Sequence, residues 1–174
     1  SENIINPSYL SVSNDNKFVY SVSENDNKSS ISAFGYNSKS GKLDFINHQN
    51  PNGLNPCYVI NDDKNVITAN YSSGNISVLG KNIDGSIGEA KQLVQHTGKS
   101  INTNRQEAAH AHMVYFSPDK KYVLANDLGT DKVYVYQYNP NSQTEVLKLK
   151  SSVNCTPGSG PRHLIFSNDG KYVY

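Results

Sequence analysis

Two arginines, Arg105 and Arg162, stand among 14 lysines in this chain of 174 residues. A guanidinium stays charged and offers a planar fork of donors that matches a carboxylate or phosphate, which the point charge of a lysine does not. His112 brings a second kind of chemistry, since an imidazole with an ordinary pKa of about 6.5 can accept or donate a proton near neutrality. His110 lies two residues earlier in "EAAHAHMV", and on a regular strand the two rings would share a face. His-x-His is also a metal-ligand spacing, with Glu107 nearby, yet no further ligand stands at a recognisable interval. Three readings of the pair therefore stand side by side: a metal site, rings satisfied by turn hydrogen bonds, or an acid/base facing a ligand. The third is preferred, and no metal or cofactor is expected. The chain has no Gly-x-Ser-x-Gly run, which argues against a covalent acyl-enzyme.

The elements that hold these residues repeat. The stretches "PSYLSVSNDNKFVY" from Pro7, "PCYVINDDKNVI" from Pro56, "AHMVYFSPDKKYVL" from Ala111 and "PRHLIFSNDGKYVY" from Pro161 share one pattern. Each opens on a small residue or proline, runs through a strand, turns at Asn, Asp or Pro, and enters a second apolar run. A third strand follows in "SSISAFGY", "GNISVLGK" and "KVYVYQY", and a fourth in "KLDFINH", "EAKQLVQH" and "TEVLKLK". Alternation in "VYVYQY" sets Val133 and Val135 on one face and the tyrosines on the other, the period of a strand. Four antiparallel strands recurring about every 50 residues give the arithmetic of a β-propeller blade. The composition agrees: 12 Tyr, 12 Gly, one Met and no Trp, with strand formers and turn formers dominating.

The expected architecture is all-β, with blades over residues 6–54, 55–110 and 111–160, the first half of another over 161–174, and residues 1–5 as the end of a preceding one. A blade must stack on neighbours to bury its faces, so further blades of the same protein are expected to close the ring. The first strand of each blade lines the channel. Ser8, Cys57, His112 and Arg162 occupy the same repeated position at its start. The fold asks the same of every blade there, so a change of residue type reports function. His163, next in sequence, is expected to point the other way, into the packing between blades.

Two further features belong to the same region. The loop "VQHTGKSINTNRQEAAH" lengthens the second repeat and carries Arg105 toward His112, and long loops on a rigid ring are where specificity resides. In "NDLGTDKVYVY", Gly129 permits a positive φ and Asp131 is expected in turn chemistry. Asp127, ending a second strand near the channel, is a candidate ligand contact. A formal charge of +1 leaves no basic stripe for nucleic acid, and no run approaches the roughly 18 apolar residues of a membrane span. Cys57 and Cys155 read as free thiols rather than a disulfide framework. The opening "SENIINP" is not a start-of-protein sequence, so the compartment stays open: cytoplasmic is favoured, periplasmic or secreted possible.

The four repeated stretches, together with "RQEAAHAHMVYFSPDKKYVLANDLGTDKVYVY", resemble the seven-bladed propeller lactonases, which include bacterial 6-phosphogluconolactonases and the fungal carboxymuconate-lactonizing enzyme. The resemblance spans nearly the whole chain and implies about half of a seven-bladed ring. It implies a channel-facing His and Arg on successive blades, here His112 (with His110 adjacent) and Arg162, and an acid placed beyond Tyr174. Arg105, Asp127, Cys57 and Ser8 are expected to bind substrate. The activity implied is hydrolysis of an anionic sugar-acid lactone, 6-phosphogluconolactone foremost. The alternatives are a muconate-type cycloisomerase and a non-enzymatic propeller that binds a protein or glycan.

Overall fold

The computed structural model describes residues 4–174. Residues 1–3, part of the segment assigned to a preceding blade, lie outside the described residues. The chain folds as three four-stranded antiparallel sheets. The first holds β1 (Leu10–Val12), β2 (Phe18–Ser23), β3 (Ser30–Asn37) and β4 (Lys42–Gln49). The second holds β5 (Pro56–Asn61), β6 (Asn65–Asn70), β7 (Asn75–Lys81) and β8 (Ile87–Gln95). The third holds β9 (Ala111–Phe116), β10 (Tyr122–Asp127), β11 (Lys132–Tyr138) and β12 (Leu147–Asn154). Strand order within each sheet is sequence order, and a final hairpin pairs Ile165 with Tyr174 by reciprocal N–H···O bonds. The only helical element among the described residues is a short turn, Asp26–Lys28.

Repeated turn chemistry sets each first hairpin. Ser13, Ser117 and Ser167 donate through Oγ to Asp15, Asp119 and Asp169 at 2.6, 2.7 and 2.6 Å. Each aspartate also accepts the N–H of the lysine two residues on. The tightest residue of the turn takes positive φ at Asn16 (56°), Lys120 (53°) and Gly170 (69°). In the second copy Asp62 replaces this arrangement, accepting from the Lys64 and Asn65 N–H groups at 2.8 Å and from the Tyr138 hydroxyl at 2.6 Å. That last bond reaches into the third sheet. The fourth strand of that sheet begins at Leu147, later than the sequence suggests, because Asn139 closes on Val146 and Ser142 on Glu145 in a longer turn.

The sheets stack face to face, and the middle one is buried on both sides. Every residue of β6 is buried. Val66 and Leu79 pack toward Tyr20, Val22, Ile31 and Ala33 of the first sheet. Ile67, Ala69, Ile76 and Val78 pack toward Val114, Val123, Ala125 and Tyr136 of the third. The period-two alternation therefore separates two apolar faces rather than an apolar face from a polar one. β12, by contrast, is exposed after Leu147. Tyr9 and Tyr58 stack at 3.9 Å where the first strands of two sheets meet. Truncating Ile67, which is 0% exposed, leaves a cavity that β6 cannot collapse because both neighbouring sheets hold it. Ile67→Ala should cost about 2–5 kcal/mol in denaturant unfolding of the full-length protein.

Candidate active site

The ladders skip one residue at the start of two innermost strands. Pro56 pairs with Asn70 and Tyr58 with Ala69, leaving Cys57 out. Ala111 pairs with Asp127 and Met113 with Asn126, leaving His112 out. A β-bulge bends its strand and re-aims the extra side chain. The bulges turn Cys57 and His112 into one cleft of about 760 Å³, which Ser8, Arg105 and Arg162 also line and Tyr9, Glu24, Tyr71 and His163 complete. Cys57 Sγ lies 3.3 Å from the His112 carbonyl oxygen, which links the bulges of neighbouring sheets.

Three residues stand differently from the sequence expectation. His110 does not share a face with His112, because the bulge breaks the alternation between them. Its ring is buried, with Nδ1 3.0 Å from the Tyr71 carbonyl oxygen and Nε2 3.1 Å from Glu107 Oε1. Tyr71 stands between the two histidines, stacked on His110 at 4.4 Å and edge-on to His112 at 5.8 Å. His163 does not enter the packing between sheets. Residues 161–165 form no regular ladder, so alternation does not apply, and its exposed ring meets His112 at 5.2 Å inside the cleft.

Asp127 is not a ligand contact either. It is 0% exposed and its acceptors are committed. Oδ1 takes the N–H groups of His110, Gly129 and Thr130 at 2.9, 2.9 and 3.1 Å. Oδ2 lies 2.8 Å from His96 Nδ1, and His96 Nε2 lies 2.7 Å from the Tyr136 hydroxyl. The positive φ of this turn falls on Asp131 (53°) and not on Gly129. Gly129 is there for closeness, since a Cβ on it would sit 1.8 Å from the Ala108 carbonyl oxygen.

The electrostatics follow from the crowding of cations. Burial first, then Arg162, His163 and Arg105, hold the His112 imidazole down to about 4, so it is the free base at neutral pH. Its Nδ1 is buried without a partner. Burial, reinforced by Glu24, pushes the Cys57 thiol up to about 12. Arg105 Nη2 reaches the Tyr71 hydroxyl at 3.3 Å, so Tyr71 braces both an arginine and two histidines. Among the described residues no cluster of three or more His, Cys, Asp or Glu could hold a metal ion.

Sequence reasoning missed Glu24 and Tyr71. Strand pairing sets Val19, Val66 and Val123 at equivalent points, and five residues on from each stand Glu24, Tyr71 and Leu128. This second variable position, at the end of the second strand, carried the signal. Glu24 accepts a hydrogen bond from Ser8 Oγ, placing a carboxylate on the wall of the cleft opposite in charge to the arginines.

A three-sheet all-β stack with this cleft at the mouth of its innermost strands defines a partial propeller. The family model "Lactonase, 7-bladed beta-propeller" matches residues 1–174, and the chain belongs to that family. It is similar to the 6-phosphogluconolactonase of Bacillus subtilis (strain 168), 39% identical over 171 residues, 97% of this chain and 48% of that protein. It is also similar to the 6-phosphogluconolactonase of Formosa agariphila, 33% identical over 178 residues, 99% of this chain and 50% of that one. Among solved structures, a protein of Bacteroides fragilis NCTC 9343 superposes with a TM-score of 0.94 at 41% identity, over 100% of this chain and 51% of that one. The Pseudomonas aeruginosa periplasmic gluconolactonase superposes with a TM-score of 0.89 at 34% identity, over 97% and 50%. The chain thus spans about half the length of the curated relatives it matches.

The thiol at the heart of the cleft should be chemically quiet. With its pKa at about 12, roughly one Cys57 in ten thousand is thiolate at pH 8. Iodoacetamide at that pH should label Cys57 far more slowly than a free cysteine, as read by peptide mass spectrometry; rapid labelling would contradict the geometry.

Proposed function

We propose that the protein to which this chain belongs hydrolyses an anionic sugar-acid lactone, 6-phosphogluconolactone to 6-phosphogluconate, in a channel that further blades close. The observation that carries this reading is the convergence of both arginines of the chain with an uncharged His112 on one cleft. The names of the relatives support it. Arg105 and Arg162 are suited to hold the phosphate or a developing oxyanion. A water bound between Nε2 of His112 and the lactone carbonyl attacks the carbonyl carbon while His112 takes its proton. The carbon–ring oxygen bond then breaks, and the imidazolium returns the proton to the departing alkoxide. The products are a carboxylic acid, ionised at neutral pH, and a free hydroxyl.

Glu24 favours this chemistry over lactonization of a dicarboxylate. A carboxylate already accepting from the Ser8 hydroxyl is suited to accept from sugar hydroxyls as well. The same charge repels a second carboxylate on a muconate-type ligand.

The pH dependence follows from the depressed His112. Because the neutral form is the base, activity falls as pH drops through its pKa. In the free protein that limb should appear in kcat/KM near the value of about 4. A bound dianion offsets the arginine charges and favours the imidazolium, so the limb in kcat should lie at higher pH. Lactone hydrolysis by the full-length protein checks this, together with His112→Ala and Arg162→Lys. Each variant should lose about 100-fold or more in kcat/KM with the fold retained. Full lactonase activity in His112→Ala would overturn the assignment.

A further inference from the structure

Asp131, a residue of local turn chemistry by sequence, reaches well beyond its turn. It is 4% exposed and ties together two segments distant in sequence. Its Oδ2 accepts from the Ser100 hydroxyl at 2.5 Å and the Gly158 N–H at 2.6 Å. Its Oδ1 accepts from the Gly160 N–H at 2.7 Å and the Ser159 hydroxyl at 3.4 Å. Its own carbonyl oxygen accepts the Cys155 N–H at 2.7 Å. Gly158 and Gly160 adopt φ of 85° and 57°, which lets both N–H groups turn onto one carboxylate.

Each tethered segment ends in an arginine. Ser100 is the foot of a closed turn: its N–H donates to the Gln106 carbonyl at 2.9 Å, and the Arg105 and Gln106 N–H groups donate to the Asn102 carbonyl at 3.1 and 2.7 Å. Gln106 is buried, with its amide on the Leu128 carbonyl at 2.8 Å. On the other side only Pro161 separates Gly160 from Arg162. Two bonds to Asp131 therefore stand between the roots of the two arginines.

We infer that Asp131 is a positioning residue that sets the span between Arg105 and Arg162, and so the reach of the anion that the cleft accepts. The inference rests on the reading of the cleft as an anion site, not on the reaction performed there. Burial alone would raise the Asp131 pKa, but the Ser100 hydroxyl and the two glycine N–H groups bring it down to about 2, so the tether stays ionised across the working range. Asparagine cannot replace it. Each carboxylate oxygen faces a glycine N–H, so in either orientation an amide would oppose one of them with its own N–H₂ group.

The test is titration of inorganic phosphate into the full-length protein by calorimetry. Asp131→Asn should weaken binding about tenfold, because a displacement of around 1 Å loosens a two-arginine grip. Asp62→Asn is the matched control: Asp62 is likewise a buried turn carboxylate that lines no part of the cleft, and its variant should keep wild-type affinity whatever its melting temperature. Asp131→Asn combined with Arg162→Lys should lose less than the product of the single losses, since the two act through one contact. Should Asp131→Asn fail to fold, Ser100→Ala removes one arm alone and should weaken binding about threefold, the scale of one lost hydrogen bond. Unchanged affinity in Asp131→Asn or Ser100→Ala, equal weakening in Asp62→Asn, multiplicative losses, or no phosphate binding by the wild type would each overturn the inference. A protein that binds phosphate in this Asp131-dependent way yet turns over no lactone would keep it and lose the hydrolase reading.

Discussion

A carboxylate with no exposure to solvent, Asp127, is where the second and third sheets, the long loop and the histidine strand are joined. One oxygen gathers three N–H groups, among them that of His110 at the entry to β9, and the other holds His96 at the end of β8. Burial opposes its charge, and those bonds more than offset the opposition, leaving its pKa below the ordinary range. Removing one donor from a buried carboxylate leaves it part-unsatisfied, at a cost of about 1–3 kcal/mol or more. The exposed pairs Lys17–Asp15, Lys121–Asp119 and Lys171–Asp169 belong to the class worth about 0–1 kcal/mol. The difference decides which charges hold the fold. Because the folded pKa is depressed, this contribution is present above the ordinary carboxylate pKa and is lost as pH falls below it.

The site depends on that joint through geometry. Asp127 fixes the backbone two residues before His112, and its own pairing with Ala111 is one side of the bulge that turns His112 into the cleft. Asp131, four residues on, fixes the approaches to Arg105 and Arg162. A single hairpin connection, Asp-Leu-Gly-Thr-Asp, thereby holds the entry to His112 by one end and the approaches to the two arginines by the other. Gly129 between them lets the turn lie against Ala108. The cleft is thus braced by residues that do not line it.

The architecture was legible in the sequence because the repeat carries it: equal spacing, alternating strands and recurrent Ser-x-Asp turns are local signals that survive without tertiary information. The shared position of Ser8, Cys57, His112 and Arg162 was legible for the same reason. Orientation was not. Whether His110 and His112 share a face depends on one skipped residue in a ladder, which the partner strand and Asp127 determine. Alternation places His163 between the blades, but residues 161–165 form no ladder, so the rule does not apply there. The commitment of Asp127 inside the fold has no local signal, because its partner, His96, comes from the neighbouring sheet. Glu24 and Tyr71 stand at a second variable position of the repeat that strand pairing, rather than the local pattern, brings into register.

The two variable positions share a physical cause. A residue skipped by the ladder, or one just past the end of a strand, contributes little to pairing, so the fold does not constrain its side chain. Interior positions such as Val66 or Ile76, with no exposure on either side, have no such freedom. Propeller geometry then brings the unconstrained residues of successive sheets, Glu24, Cys57, Tyr71 and His112, to one cleft, where Ser8 and Arg162, outside any strand, join them. Variation that costs little stability thus accumulates in one place. A repeat that must be uniform to stack can still build a cleft whose walls differ in charge, with a carboxylate on one side, arginines on the other, and an imidazole between them kept neutral by burial and by its cationic neighbours.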